Sequence, residues 1–190
     1  MKLYTRTGDD GGTALFGGER VQKDNPRVGA YGAVDEANAT VGVAHAAVDL
    51  PPHIGAELLL VMSDLFDVGA ELATPAGKDG ALSERLDSRI DEARITALEN
   101  AIDDASARVP PLMTFVLPTG GDAAARLHLA RTVVRRAERE VVALSHNAPV
   151  RALVITYLNR LSDALFAWAR VASHASGHGD VAWQAKKPAR

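Results

Sequence analysis

Between Arg126 and Arg139 the chain carries five arginines, at 126, 131, 135, 136 and 139, opposed only by Glu138 and the following Glu140. Guanidinium groups are planar, permanently charged and able to donate in pairs, which suits them to polyphosphate. At about 100° per residue on a helix, Arg131, Arg135 and Glu138 share one arc, with Arg139 close by and Arg136 further round. The arc lies beside an apolar face made of Leu127, Ala130, Val134, Ala137, Val141 and Leu144. Arginines at the edge of a core face also cover apolar surface with their methylene stems. On this helix alone, polyphosphate binding and simple cover are both open. A second unusual segment is Thr5-Arg6-Thr7-Gly8-Asp9-Asp10-Gly11-Gly12-Thr13, followed by Gly17-Gly18-Glu19-Arg20 and Lys23. Glycine frees the backbone to turn N–H groups toward anionic oxygen, while threonine, arginine and lysine add donors. The segment is neither a Gly-Lys-Ser/Thr phosphate loop nor a Gly-x-Gly-x-x-Gly turn after a strand. By composition alone a flexible glycine loop is the favoured reading.

Two further stripes are polar where a plain bundle needs none. Asn159, Asp163, Phe166 and Arg170 align opposite the apolar face Val154, Leu158, Leu161, Leu165, Trp168 and Ala172. A large aromatic on a polar stripe points to a second buried face, and hence to a subunit contact. Tyr31, Asp35, Asn38 and Gly42 form a stripe on an earlier helix. There Asp35 is expected to pair with an arginine of the 126–139 helix, in the same chain or a neighbour. His174 and His178 are four apart, but Gly177 intervenes, so a role at a helix C-terminus is favoured over metal binding. His45 and His128 read as ordinary helix residues.

The elements that position these groups are helical. Asn25-Pro26 is a helix-start signal. Val34, Ala37, Val41, Ala44 and Val48 then repeat at three and four residues until Pro51-Pro52. A second helix carries Ile54, Leu58, Val61, Leu65, Val68 and Leu72 and stops near Thr74-Pro75. Residues 75–87 read as a mobile connection. A third helix is predicted over Ser88–Arg108, with Ile90, Ala97, Leu98, Ala101 and Ala105 inward. A fourth is predicted from Asp122 to His146, and a fifth from Val150 to Ser176. Residues 1–25 form an ordered loop with at most one short strand, and the tail 178–190 is polar and loose. The expected fold is all-α: a single domain over residues 1–190, built as a five-helix up-and-down bundle with a glycine-rich N-terminal loop.

Composition narrows the class. The chain has no cysteine, which excludes disulfides, cysteine-ligated zinc and thiol catalysis and suits a reducing cytoplasm. Met1-Lys2-Leu3-Tyr4 lacks the apolar run of a signal peptide. The most apolar late stretch, residues 153–172, is interrupted by Asn159, Arg160, Asp163 and Arg170, so no membrane span is expected. A net charge of −3 gives no general pull toward nucleic acid. A di-iron bundle needs Glu-x-x-His pairs on facing helices, and the sequence has none.

Six segments occur in order along the chain. They are Tyr4-Thr5-Arg6-Thr7-Gly8-Asp9, Gly17-Gly18-Glu19-Arg20-Val21, Tyr31-Gly32-Ala33-Val34-Asp35-Glu36, Phe115-Val116-Leu117-Pro118, the run from Ala130 to Arg139, and Tyr157-Leu158-Asn159-Arg160-Leu161-Ser162-Asp163. Together they resemble the PduO-type ATP:cob(I)alamin adenosyltransferases over about residues 2–177. The resemblance implies a homotrimer with active sites between subunits, ATP and cobalamin as substrates, and Mg²⁺ bound with the ATP phosphates at Glu138. It implies ATP contacts from Thr5, Arg6, Thr7, Gly8, Gly17, Gly18, Lys23, Arg131, Arg135, Glu138 and Asn159. It assigns cobalamin contacts to Phe115, Arg136 and Asp163, and the reaction to Arg131, Arg135, Glu138, Asn159 and Asp163. Asp35, Arg131 and Phe166 would stand at the subunit interface. A cobalamin reductant and an adenosylcobalamin-dependent enzyme are the implied protein partners. Two positions depart from the family pattern: Asp10 stands where lysine is usual, and Leu117-Pro118-Thr119-Gly120-Gly121 replaces Leu-Pro-Gly-Gly.

The implied chemistry is attack by Co(I) on the 5′ carbon of ATP with loss of tripolyphosphate. Cobalt is then the nucleophile, so the protein needs no serine, cysteine or general base. It has to hold two substrates in line and stabilise charge on the departing oxygens. The competing reading is a trimeric sensor or scaffold that binds the same molecules without turnover.

Overall fold

The computed structural model describes residue 4, residues 6–75 and residues 90–185. Thr5, the predicted helix start at Ser88 and all of the predicted connection after Pro75 lie outside the described residues. Five helices carry the fold: α1 (Pro26–His45), α2 (Pro52–Leu72), α3 (Glu92–Ala107), α4 (Asp122–Ser145) and α5 (Ala152–Ala175). Their starts follow local chemistry. Asn25 accepts from the Arg27 N–H with Pro26 in the first turn, and Asp91 accepts from the Arg94 N–H at 2.8 Å. The N-terminus of α4 is capped from a distance, because the Ala123 N–H donates to Asp49 Oδ1 at 2.7 Å.

Helix α1 packs against α2 and α4, and α5 packs against α4 and α3. The apolar faces predicted for α2, α4 and α5 are buried throughout, from Ile54 to Leu72, from Leu127 to Leu144 and from Val154 to Ala172. A polar tie joins α2 to both α5 and α3: Asp64 of α2 accepts from Tyr157 Oη at 2.8 Å and from Arg94 Nε at 2.5 Å. Burial, together with the Asp64 charge, pushes the Tyr157 hydroxyl pKa well up, so it stays a donor.

Four expectations need correction. Val48 does not continue the α1 face: the helix ends at His45 and Val48 is exposed. On α3 the inward place given to Ala97 belongs to Ile95, one turn before Leu98. The N-terminal segment holds two strands rather than at most one. β1 (Gly12–Ala14) and β2 (Arg20–Gln22) pair antiparallel with Thr13 opposite Val21. Gly17 and Gly18 form the turn between them with φ of 98° and 90°, the region that favours glycine. The tail is not loose from residue 178. The Leu117 N–H donates to Val181 O, the Trp183 N–H donates to Phe115 O, and Val116 bridges Ala182. A tail rich in polar residues carries no helical period, so this pairing with a distant segment had no local signal.

Candidate functional site

The glycine-rich loop is held by its own side chains and backbone. Arg20 Nη2 donates to Thr7 O at 2.7 Å, and Lys23 Nζ donates to Gly8 O at 2.8 Å. Asp10 Oδ1 accepts from the Gly12 N–H at 3.0 Å and lies 3.3 Å from Arg20 Nη2. That backbone hydrogen bond, with the Arg20 charge adding to it, holds the Asp10 carboxyl below the ordinary range. The acid at position 10 thus organises the turn. A Cβ on Gly12 would stand 2.7 Å from Arg20 Nη2, so enlarging it would displace the guanidinium that holds Thr7 O and Asp10. Arg6 adopts φ 63°, with its guanidinium 5.6 Å from the Tyr4 ring centre. The hairpin is fixed to the rest of the chain at the end of α2, where the Phe16 N–H donates to Ala73 O. Arg27, buried at the start of α1, donates to Leu72 O and Thr74 O.

A cationic cleft opens between α4 and α5, about 280 Å³ in volume, lined by Arg135, Glu138, Arg139, Val142 and Asn159. Asn159 Nδ2 donates to Glu138 Oε1 at 3.0 Å, and Asn159 Oδ1 accepts from Arg160 at 2.8 Å. Arg160 is anchored in turn on Glu99 of α3. This relay fixes the amide and the carboxylate and leaves the Arg135 guanidinium without an ion-pair partner among the described residues. No group of three His, Asp or Glu side chains suited to a metal occurs among the described residues. Glu138 is the carboxylate of the cleft lining. A single carboxylate fits a hard cation that takes most of its ligands from phosphate oxygens and water.

One helical turn earlier on α4, Arg131 faces a different groove. It measures about 700 Å³ and is lined by Leu112, Met113, Thr114, Phe115, Val116, Arg131 and Phe166. Phe115 and Met113 are largely exposed there. Arg131 lies 5.9 Å from the Phe166 ring centre, and His128 tilts against the same ring at 5.8 Å. Arg131 Nε is buried with no hydrogen-bond partner among the described residues. Burial first, and then the Arg135 charge, lower its pKa. A buried cation in this state favours an approaching anion. Phe166, expected at a subunit contact, is here half-buried within the Phe115 groove.

The remaining candidates fall elsewhere. Arg136 pairs with Glu36 of α1 rather than reaching Phe115. Asp163 is exposed one turn beyond Asn159. Asp35 does not meet Arg131 within one chain. It lines a third groove of about 360 Å³ with Tyr31, Asn38, Leu65 and Phe66. Sequence reading missed Phe66, which sits on the outer side of α2 and is 70% exposed, and Trp183, whose ring meets Phe115 edge-on at 6.4 Å. An outward Phe on an otherwise regular amphipathic helix was the available signal for the first. None existed for the second.

The family model described as cobalamin adenosyltransferase matches residues 3–172. A corrinoid adenosyltransferase of Bacillus subtilis (strain 168) is 46% identical over 187 residues, covering 97% of this chain and 93% of that protein. The PduO corrinoid adenosyltransferase of Citrobacter freundii is also 46% identical, and this chain spans 52% of its length. A solved structure of a variant PduO-type ATP:corrinoid adenosyltransferase from Lactobacillus reuteri, complexed with cobalamin and ATP, superposes with a TM-score of 0.90. It is 36% identical, with 98% of each chain covered. The match in sequence runs through both grooves of α4 and the match in shape through all five helices, and the chain belongs to the cobalamin adenosyltransferase family, of the PduO type.

Proposed function

We propose that this chain transfers the 5′-deoxyadenosyl group of ATP to cob(I)alamin, giving adenosylcobalamin and tripolyphosphate. The observation that carries the proposal is the division of labour on α4. Arg135 lines a cationic cleft, while Arg131, a turn or about 6 Å away, closes an apolar groove walled by Phe115 and Phe166. A polyanion and a broad apolar ring system can therefore lie side by side, which a two-substrate transfer requires. The corrinoid adenosyltransferase relatives, and the cobalamin and ATP held by the Lactobacillus reuteri structure, support the same pairing.

Within this reading cobalt supplies the electron pair that forms the Co–C bond, and the C5′–O bond breaks with its pair going to tripolyphosphate. Arg135 and Arg131 stabilise the charge that grows on the departing oxygens. Asn159, held by Arg160, keeps Glu138 in place. Glu138 would hold a magnesium ion shared with the phosphates, whose charge helps neutralise them. Phe115 offers an apolar surface to the lower face of the corrin and excludes a lower axial ligand, which eases reduction of Co(II).

The loop contacts with ATP belong to the proposal as well. Within one chain the loop is tied to itself and to α2, whereas Arg135, Glu138 and Asn159 gather between α4 and α5. We infer a homotrimer in which the loop of one subunit covers the cleft of the next, with Asp35 reaching Arg131 of a neighbouring copy. A half-buried guanidinium whose Nε has no partner among the described residues, and an exposed carboxylate in an apolar groove, support this arrangement. The cysteine-free composition suits work in the cytoplasm.

The test is an anaerobic assay with ATP, Mg²⁺ and chemically reduced cobalamin, in which adenosylcobalamin with intact tripolyphosphate is the expected outcome. Phe115→Ala should keep most activity with supplied Co(I) and lose it when the assay starts from Co(II). Binding of both molecules without product would instead mark a sensor or scaffold.

A further inference from the structure

Phe115 stands on a segment, residues 108–121, that belongs to no helix and to neither strand of the hairpin. The residue is 79% exposed and its ring meets Trp183 edge-on, so packing alone holds it weakly. What holds it is main chain. The Trp183 N–H donates to Phe115 O at 2.8 Å, and the Leu117 N–H donates to Val181 O at 2.8 Å. The position of Phe115 is thus inherited from residues 181–183, themselves exposed and beyond the end of α5.

Those residues are fixed by one side chain of α5. Arg170 Nη2 donates to Asp180 Oδ2 at 2.7 Å, and Arg170 Nε lies 3.1–3.2 Å from both carboxylate oxygens. The same Nη2 donates to Pro110 O at 2.5 Å. One guanidinium therefore grips both approaches to the groove wall, five residues before Phe115 and one residue before Val181. Its side chain is only 6% exposed. Around it, His174 Nε2 lies 3.3 Å from Asp180 Oδ2, and Ser173 Oγ donates to Gly179 O at 2.6 Å. A buried ion pair contributes little net stability compared with apolar residues of the same volume. What a bidentate guanidinium adds is directional geometry, and here that geometry is passed to Phe115.

We propose that Arg170 and Asp180 are positioning residues for the transfer: they clamp residues 110–117 to residues 180–183 and so set where Phe115 stands in the cobalamin groove. The proposal rests on the reading of the groove given above. Neither residue lines the cationic cleft, so their influence falls on one substrate only.

The experiment uses the full chain with Asp180→Asn and Asp180→Ala, and with Glu71→Gln as a stability control. Glu71→Gln disrupts the other bidentate pair, Arg151–Glu71, which lies at the opposite end of α5. In both Asp180 variants the KM for cobalamin should rise about tenfold while the KM for ATP stays within about twofold, with Glu71→Gln shifting neither. Trp183 gives a readout independent of turnover. Trp168 is buried, so acrylamide-quenchable emission belongs to Trp183, and it should rise when the clamp is cut. An unchanged cobalamin KM, an equal rise in both KM values, or the same rise in Glu71→Gln would overturn the proposal. If the wild type makes no adenosylcobalamin, the functional reading is what fails. The clamp is then judged on Trp183 alone, and unaltered quenching in Asp180→Ala rejects it.

Discussion

Arg131 and Arg135 share a helix face yet work against different surroundings. Arg135 projects from a cleft whose other polar groups satisfy one another, so its charge is free to meet phosphate. Arg131 is half-buried on Phe166, above an imidazole that cannot share its charge. That imidazole, His128, is buried, and burial together with the Arg131 charge lowers its pKa from 6.5 to about 4, against a small opposing pull from Asp180. The folded chain therefore keeps His128 neutral where an unfolded chain would protonate it. Unfolding takes up a proton between those two values, and the stability that neutral His128 allows is intact above about 6.5 and lost as the pH falls toward 4. We expect the urea midpoint of the wild type to fall between about pH 7 and pH 5 by more than that of His128→Gln. Equal slopes would show that His128 titrates normally.

At the scale of elements, the path from α3 to α4 matters more than its lack of regular structure suggests. Residues 108–121 carry Phe115 and then have to enter α4 through two glycines. Gly120 has φ 115°, and a Cβ there would fall 2.1 Å from Ser173 Oγ on α5. Gly121 has φ 99°, and a Cβ would fall 2.8 Å from Asp49 Oδ2, the carboxylate that caps α4. The extra residue in Leu117-Pro118-Thr119-Gly120-Gly121 is thus accommodated before the glycine pair, which keeps its close approach to α5. Gly120→Ala should lower unfolding stability by about 3 kcal/mol, through backbone strain and the clash with Ser173, as read by urea denaturation. A loss under about 0.5 kcal/mol would refute both the backbone strain and the close approach to Ser173.

For the molecule as a whole, the incomplete parts point outward. Arg131 Nε has no hydrogen-bond partner among the described residues, Asp35 lies in a groove with the exposed Phe66, and no loop residue lines the cleft of Arg135 and Glu138. All three would be satisfied together in the proposed trimer, where one subunit's α1 and loop would face the next subunit's α4. Asp35→Arg should then reduce the assembled mass measured by analytical ultracentrifugation and cut activity by about tenfold or more, because like charges would face each other. Full assembly and full activity in this variant would refute the Asp35–Arg131 pairing. Among the described residues no helix is long and apolar enough to cross a membrane.

Period and punctuation determined the helices. Asn25-Pro26 marked the start of α1 and Pro51-Pro52 the break before α2, and three- and four-residue spacing placed the cores of α2, α4 and α5, because a helix writes its buried face into local order. The Asp91 cap of α3 was not among these signals. Residue type and spacing likewise singled out the arginine arc of α4 and the Asn159 stripe, since groups one turn apart in sequence are neighbours in space. Tertiary structure alone decided which groove each arginine serves. Arg131 and Arg135 differ by one turn, and only the approach of residues 112–116 and of Phe166 makes the first surrounding apolar. It also decided that Glu36, not Phe115, occupies Arg136, that Asp180 closes on Arg170, and that Trp183 backs Phe115. Those contacts join segments from ten to a hundred residues apart through ion pairs and a ring edge. No local period records them, because the free energy that selects them exists only once the bundle has brought the segments together.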